Sequence, residues 1–343
     1  MALQIVNPLE YPDWDRLVLA AENASFFHSS AWARVLVESY GYKPLYFTSL
    51  ENGSLSSLVP FMEINSWLTG KRGVSLPFTD ECPQIAPDSG MSQEMVKHII
   101  DYGEKAGWKY IEWRNGERFP EEVITSDFYF THEVDLTQTE KELFSDLRDS
   151  TRRNIKKASR EGVLVEISHS RDSIQSFYRL NCMTRKRHGL PPQPFSFFTK
   201  IFEHIISKGQ GTVVSALHSG KRIASAVFFN FGKKVICKYG ASDQGYQHLR
   251  PNNLILWEAV RYYREQGFET LNFGRTEPEN KGLLQFKRGW GAEKRLLEYH
   301  RYDLKKNRFL TGRPGPKNSY KLFRFMPTPM LRIAGDLLYR HAG

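Results

Sequence analysis

The sequence of 343 residues predicts a mixed α/β protein made of two tandem copies of one unit. Three observations carry that prediction. A turn, an apolar strand, a helix, a glycine and a second apolar strand occur in that order twice. The spacing is nearly kept, with 54 residues from Gly53 to Gly107 and 47 from Gly220 to Gly267. The strand segments are rich in β-branched and aromatic residues and the segments between them have a helical period, the pattern of helices packed on a mixed sheet. Hydrophobic residues at 40% and charged residues at 25% describe a soluble globular chain long enough to bury two cores.

In the first copy, Glu51-Asn52-Gly53 reads as a turn before the strand Ser57 to Met62, and Met91 to Ala106 as a helix. Gly107 ends that helix, and Trp108 to Trp113 is the closing strand. The second copy repeats this with the turn His218-Ser219-Gly220, the strand Ile223 to Phe229, the helix Leu254 to Gln266, Gly267, and the strand Phe268 to Phe273. Between the copies, Thr139 followed by Glu142 forms a capping box, Leu143, Leu147 and Ile155 give a sparse apolar stripe, and Gly162 is a stop signal. This predicts one joining helix, with Arg152, Arg153, Lys156, Lys157 and Arg160 crowded on one side as either a solvated face or a phosphate contact. The predicted organisation is a domain at 1–138, a linker helix at 139–162, a second domain at 163–304 and a basic tail at 305–343.

Charge is concentrated in that tail. The chain has 48 Lys+Arg against 38 Asp+Glu, a net of +10, but the tail alone holds nine basic residues and one acid, Asp336. Overall basicity is therefore weak evidence for a nucleic-acid binder, and any RNA contact must rest on a local patch. Asn307 to Tyr320 contains Gly312, Pro314, Gly315 and Pro316 and reads as a linker, whereas Met330, Leu331, Ile333, Ala334, Leu337 and Leu338 fall on one side of a helix with Arg332, Asp336 and Arg340 on another. Such a helix can lie in a membrane interface or dock on the protein. The N-terminus has no signal-peptide pattern and no apolar run reaches about 18 residues, which points to a cytoplasmic protein with a tail able to touch the membrane. Three scattered cysteines, Cys82, Cys182 and Cys237, give no zinc spacing and suit a reducing compartment.

The sequence contains no GxSxG, HExxH, Walker or GxGxxG motif, and its ten histidines do not cluster. Its densest polar and aromatic run is Tyr239-Gly240-Ala241-Ser242, Arg250-Pro251-Asn252-Asn253, Asn272-Phe273-Gly274-Arg275-Thr276-Glu277 and Phe286-Lys287-Arg288-Gly289-Trp290-Gly291. In this order the chain resembles the FemAB-like proteins, non-ribosomal peptidyltransferases of a double GNAT fold. The likeness extends to Arg152-Arg153-Asn154-Ile155-Lys156-Lys157-Ala158, Thr184 to Gly189 and Phe26 to Trp32, and covers about residues 25 to 304. It implies two tandem GNAT-like domains and a transfer of an aminoacyl group from aminoacyl-tRNA to an amine of a peptidoglycan or other cell-envelope precursor. Related proteins of unsettled acyl donor suggest instead an N-acyltransferase that uses acyl-CoA or acyl carrier protein in exopolysaccharide or lipid synthesis. A membrane-surface glycolipid-binding module without catalysis is the third reading.

By that resemblance Lys287 matches a lysine at the donor carbonyl, where a cation stabilises the developing oxyanion. Arg187 matches an arginine that reaches precursor phosphates, a task suited to a guanidinium. Tyr239 is a candidate to bond the acceptor or relay its proton, or else packs in its strand. Arg275 is a second anion ligand or an ion-pair partner of Glu277, and Asn252, Asn253 and Trp290 complete the candidate substrate-binding set. No resident cofactor or metal is expected, since the acyl donor is a co-substrate. Gln247 to Asn253, where acetyl-CoA-dependent GNAT enzymes carry a glycine-rich pyrophosphate loop, has neither glycine and contains Pro251, which favours a donor other than acetyl-CoA. The chain departs from the family pattern in lacking a long coiled-coil arm and a lysine near Leu36, where Arg34 or Lys43 could substitute.

Overall fold

The computed structural model describes residues 3–51, 53–86, 93–114, 123–312 and 321–343. Asn52 of the first turn, Met91 and Ser92 of the predicted helix, and residues 313–320 of the proline- and glycine-rich segment lie outside them. In chain order the elements are β1 (Leu3–Val6), α1 (Trp14–Leu19), α2 (Ser30–Tyr40), β2 (Lys43–Glu51), β3 (Ser54–Ser66), β4 (Gly70–Val74), α3 (Gln93–Lys105) and β5 (Tyr110–Arg114). Then come β6 (Asp127–Asp135), α4 (Glu140–Asp146), α5 (Asp149–Arg160), β7 (Leu164–Ser168), α6 (Arg171–Arg187), α7 (Phe195–His204), β8 (Gly211–His218), β9 (Lys221–Phe231) and β10 (Lys234–Ser242). The chain closes with α8 (Pro251–Glu265), β11 (Thr270–Asn272), α9 (Lys281–Arg288), β12 (Glu293–Asp303), β13 (Arg308–Phe309) and α10 (Thr328–Ala342).

These elements form two compact units, Met1–Phe130 with Leu296–Gly315 and Leu338–Gly343, and Thr131–Arg295 with Pro316–Leu337. The repeat is visible in both. The β2–β3 and β8–β9 hairpins turn at Gly53 and Gly220, and the helices α3 and α8 are followed by Gly107 and Gly267, all four with positive φ between 73° and 78°.

In the first unit β1, β2, β3 and β4 pair antiparallel, β5 runs parallel to β4, and β12 pairs antiparallel with β5. Phe47, Phe61, Ile99, Trp108, Ile111 and Trp113 fill the space between this sheet and α3. Beside that core Glu112 is held by Arg114 at 2.9 Å and by Arg301 at 2.6 Å. Burial alone would raise its carboxyl, but the two guanidinium groups outweigh burial and hold it down at about 2. A carboxyl depressed on folding stabilises above the ordinary carboxylate range and loses that contribution as pH falls toward its folded value. Glu112→Gln is expected to cost about 2–3 kcal/mol at neutral pH and to flatten the acid limb of the stability profile, measured by denaturant titration between pH 7 and pH 3.

In the second unit the order is β6-β11-β10-β9-β8-β7, with β10 and β11 parallel and the other pairs antiparallel. Successive residues of β9 point to opposite faces and separate its helices. Phe228 packs against Tyr263 of α8, in the core that also holds Ile155 and Ala158 of α5. Phe229 meets Tyr239, which lies against Phe177 of α6 and Phe198 of α7.

Three features differ from the sequence expectation. The units do not respect the boundary of the repeat: Glu133 to Asp135 pair with β11 in the second unit, while Tyr299 to Asp303 pair with β5 in the first. The two copies thus exchange their last strands, so the 1–138 and 163–304 limits give way to discontinuous units. The predicted joining helix is two helices, because Leu147 and Arg148 are extended (ψ 137° and 144°). Leu147 is buried, and the Arg148 amide donates to the Gly289 carbonyl, so packing breaks a helix that propensity would continue. The Thr139–Glu142 capping box is formed at the start of α4. Finally, Arg308 and Phe309 of the expected linker form β13 on β12.

Candidate active site

The parallel pairing of β10 and β11 ends at Ile236 and Asn272. Beyond it β10 continues to Ser242, while the chain after β11 turns away at Gly274. A place where parallel strands part at their carboxyl ends is where α/β sheets hold ligands. The turn is built locally. Asn272 is buried, and its side-chain oxygen accepts from the Gly274 amide (2.7 Å) and from the Thr131 hydroxyl (2.8 Å). Its amide nitrogen therefore faces Glu133, at 3.4 Å. Gly274 has φ +70°, in the left-handed region that a side chain disfavours.

Lys287 locks the turn from α9. Asn280 caps this helix by accepting from the Leu283 amide, which sets the helix phase and puts Lys287 in its last turn. Lys287 is buried and its Nζ donates to the carbonyl oxygens of Gly274 (2.7 Å) and Arg275 (3.3 Å). A fixed ammonium at the open end of the strand pair is a preorganised site for negative charge.

Arg275 meets Lys287 through its backbone carbonyl, and Glu277 follows two residues on, its own carbonyl accepting from the Asn280 amide at the start of α9. Arg187 ends α6, one turn after Thr184, whose hydroxyl bonds the backbone of Ser242 at the end of β10. Pro251 opens α8, where Asn252 is half-buried and Asn253 buried. Two candidates have a different place from the one their proposed roles require. The Tyr239 hydroxyl is buried, with the ring among Phe177, Phe197, Phe198 and Phe229, a packing place rather than an open one. Trp290 is buried against Phe273 and Phe286 and supports the loop from beneath. It also lines a cavity of about 270 Å³ whose Glu133, Asp135, Asp146 and Glu293 carboxylates suit no phosphate.

His132, absent from the sequence candidates, is fully buried on β6, and neither ring nitrogen has a hydrogen-bond partner among the described residues. Burial first, then Lys287, Arg288 and Lys294, push its pKa down from 6.5 to about 4. The hydroxyl of Thr276 and the indole N–H of Trp290 are likewise buried without a partner among the described residues. Such groups cluster where a fold serves something other than its own stability. Below pH 6.5 the unfolded chain takes up a proton that folded His132 refuses, so stability falls as pH drops through the window down to about 4. The expected loss is about 2 kcal/mol between pH 7 and pH 5, and His132→Leu should remove it, as read by urea denaturation at both values.

The loop before α8 does not fit a pyrophosphate. The amide of its one glycine, Gly245, donates to the Asp243 carboxylate (3.0 Å), which also pairs with Lys221 (3.0 Å). Arg153 and Arg160 of α5 are exposed, while Arg152 is tied to Asp149 and to the Ser145 carbonyl.

A family model described as an acetyltransferase (GNAT) domain matches residues 145–288. A curated relative, the lipid II:glycine glycyltransferase of Staphylococcus haemolyticus, is 29% identical over 136 residues, 38% of this chain and 32% of the relative. The match thus spans about a third of that protein's length. Among solved structures, FemX superposes with a TM-score of 0.66 at 15% identity over 87% of this chain and 97% of its own. A tandem GNAT protein from the clavulanic acid biosynthesis pathway does so with a TM-score of 0.56 at 9% identity, over 92% and 100% of the two chains.

Proposed function

We propose that this chain, which belongs to the FemAB-like family of double-GNAT proteins, transfers an aminoacyl group from aminoacyl-tRNA to an amine of a lipid-linked peptidoglycan precursor. The observation that carries this reading is Lys287 fixed on the Gly274 and Arg275 carbonyls at the open end of the β10–β11 pair. The acceptor amine attacks the ester carbonyl that joins the amino acid to the tRNA ribose. As the C–N bond forms, the carbonyl oxygen gains charge beside the Lys287 ammonium. The intermediate then expels the ribose oxygen, which leaves with the proton that the amine gives up. In this reading Arg187, in the last turn of α6, binds the precursor phosphates and Arg275 a second anionic group, tasks that suit a guanidinium.

The Gln247–Asn253 loop supports tRNA over acyl-CoA as donor, because it has no glycine and Pro251 supplies no amide to a CoA pyrophosphate. Arg153, Lys156 and Arg160 on α5 offer the local basic patch that a tRNA backbone needs. The donor is tested by calorimetry with CoA and by consumption of charged tRNA. Accelerated, acceptor-dependent loss of the aminoacyl ester with no CoA binding supports the reading; CoA binding with charged tRNA untouched moves it to the acyl-CoA alternative. A lipid-linked acceptor further places the reaction at a membrane surface.

A further inference from the structure

We propose that α10 is a docked helix whose outer face seats the protein on an anionic lipid surface. The helix has two apolar faces. One packs on the protein: Leu331 is buried, Gly335 lies against the Pro192 carbonyl, and Arg332 covers the Tyr178 ring at 5.3 Å. At its end the carbonyls of Tyr339 and Arg340 accept from Tyr42, and buried Arg72 donates to the carbonyls of His341 and Gly343. The other face is bare. Met330, Ile333 and Leu337, spaced three and four apart on one stripe, are 55%, 59% and 64% exposed.

The surroundings of the stripe say what covers it. Arg332, whose guanidinium lies over Tyr178, Asp336 and exposed Arg340 form the row along one flank, two cations to one acid. Phe325, just before the helix, is 85% exposed. Aromatic and aliphatic side chains bordered by arginines are the composition of a surface that inserts to headgroup depth while its cations meet lipid phosphates. Because the helix is already folded and docked, binding incurs no cost of ordering it, unlike a free amphipathic tail. Among the described residues no helix is long and apolar enough to cross a membrane.

The proposal deepens the reading of a lipid-linked acceptor, but its test involves no transfer, so the two can fail separately. The full chain is floated with vesicles of phosphatidylcholine alone and with added phosphatidylglycerol, at low and high salt. The expected result is partition into the anionic vesicles, weakened by salt, and reduced at least tenfold in Ile333→Asp/Leu337→Asp with an unchanged melting temperature. Equal partition of the double variant overturns the proposal. So does a self-associating chain that the double variant makes monomeric, with no vesicle binding by either, since the stripe would then face a second copy.

Discussion

Lys287→Met is expected to slow transfer by about 10²–10³-fold at saturating substrate, the loss typical of removing one preorganised donor to a developing oxyanion. The side chains are similar in length, so the substitution removes the charge and the two hydrogen bonds to Gly274 and Arg275 while filling the same space. Leaving those carbonyls without the donor also costs stability, about 1–3 kcal/mol, which thermal denaturation measures separately. Lys287→Arg distinguishes charge from clamp. Single-turnover rates should recover partly if a cation is what the reaction needs, and stay as low as in the methionine variant if only the lysine's reach to both carbonyls matters. A methionine variant within threefold of the parent rate would remove Lys287 from the reaction.

Gly335→Leu should unseat α10. A Cβ at this position would stand 2.0 Å from the Pro192 carbonyl oxygen, and backbone on both sides leaves no flexible end to yield. Overpacking of this kind costs about 1–3 kcal/mol, and displacement of Leu331 and of Arg332 from Tyr178 adds to it. The expected readouts are a melting temperature lowered by several degrees and rapid proteolysis within residues 321–343. Ala334→Leu, on the half-buried neighbouring position, is the control that should leave both unchanged. Equal protease resistance of the two variants would mean that α10 is not docked through Gly335.

How much of this was legible in the sequence follows the range of the forces involved. The repeat, the Thr139 cap and α10 are set by neighbours within a few residues, and the sequence carries them openly. Leu147 continues a helical pattern by propensity, and only the distant Gly289 carbonyl turns it into a break. The exchange of last strands is silent for the same reason, because β6 has the same composition whichever sheet it joins. That silence hid part of the site. Thr131 and His132 belong to the first copy by sequence but reach Asn272 and the surroundings of Lys287 through pairing across roughly 140 positions. Asn272 had a signal, as the first residue of the Asn-Phe-Gly-Arg run, and its role as the turn's internal brace explains why the run begins there. Tyr239 shows the converse: the motif left chemistry and packing both open, and only the fold brings Phe177, Phe197 and Phe198 of two helices around its ring.

The most direct test of the central claim is the mass of a lipid-linked peptidoglycan precursor after incubation with the protein and either charged tRNA or acetyl-CoA. The account predicts a gain of one amino-acid residue on a precursor amine with charged tRNA alone. A gain of an acetyl group from acetyl-CoA, or no gain from either donor, would contradict it.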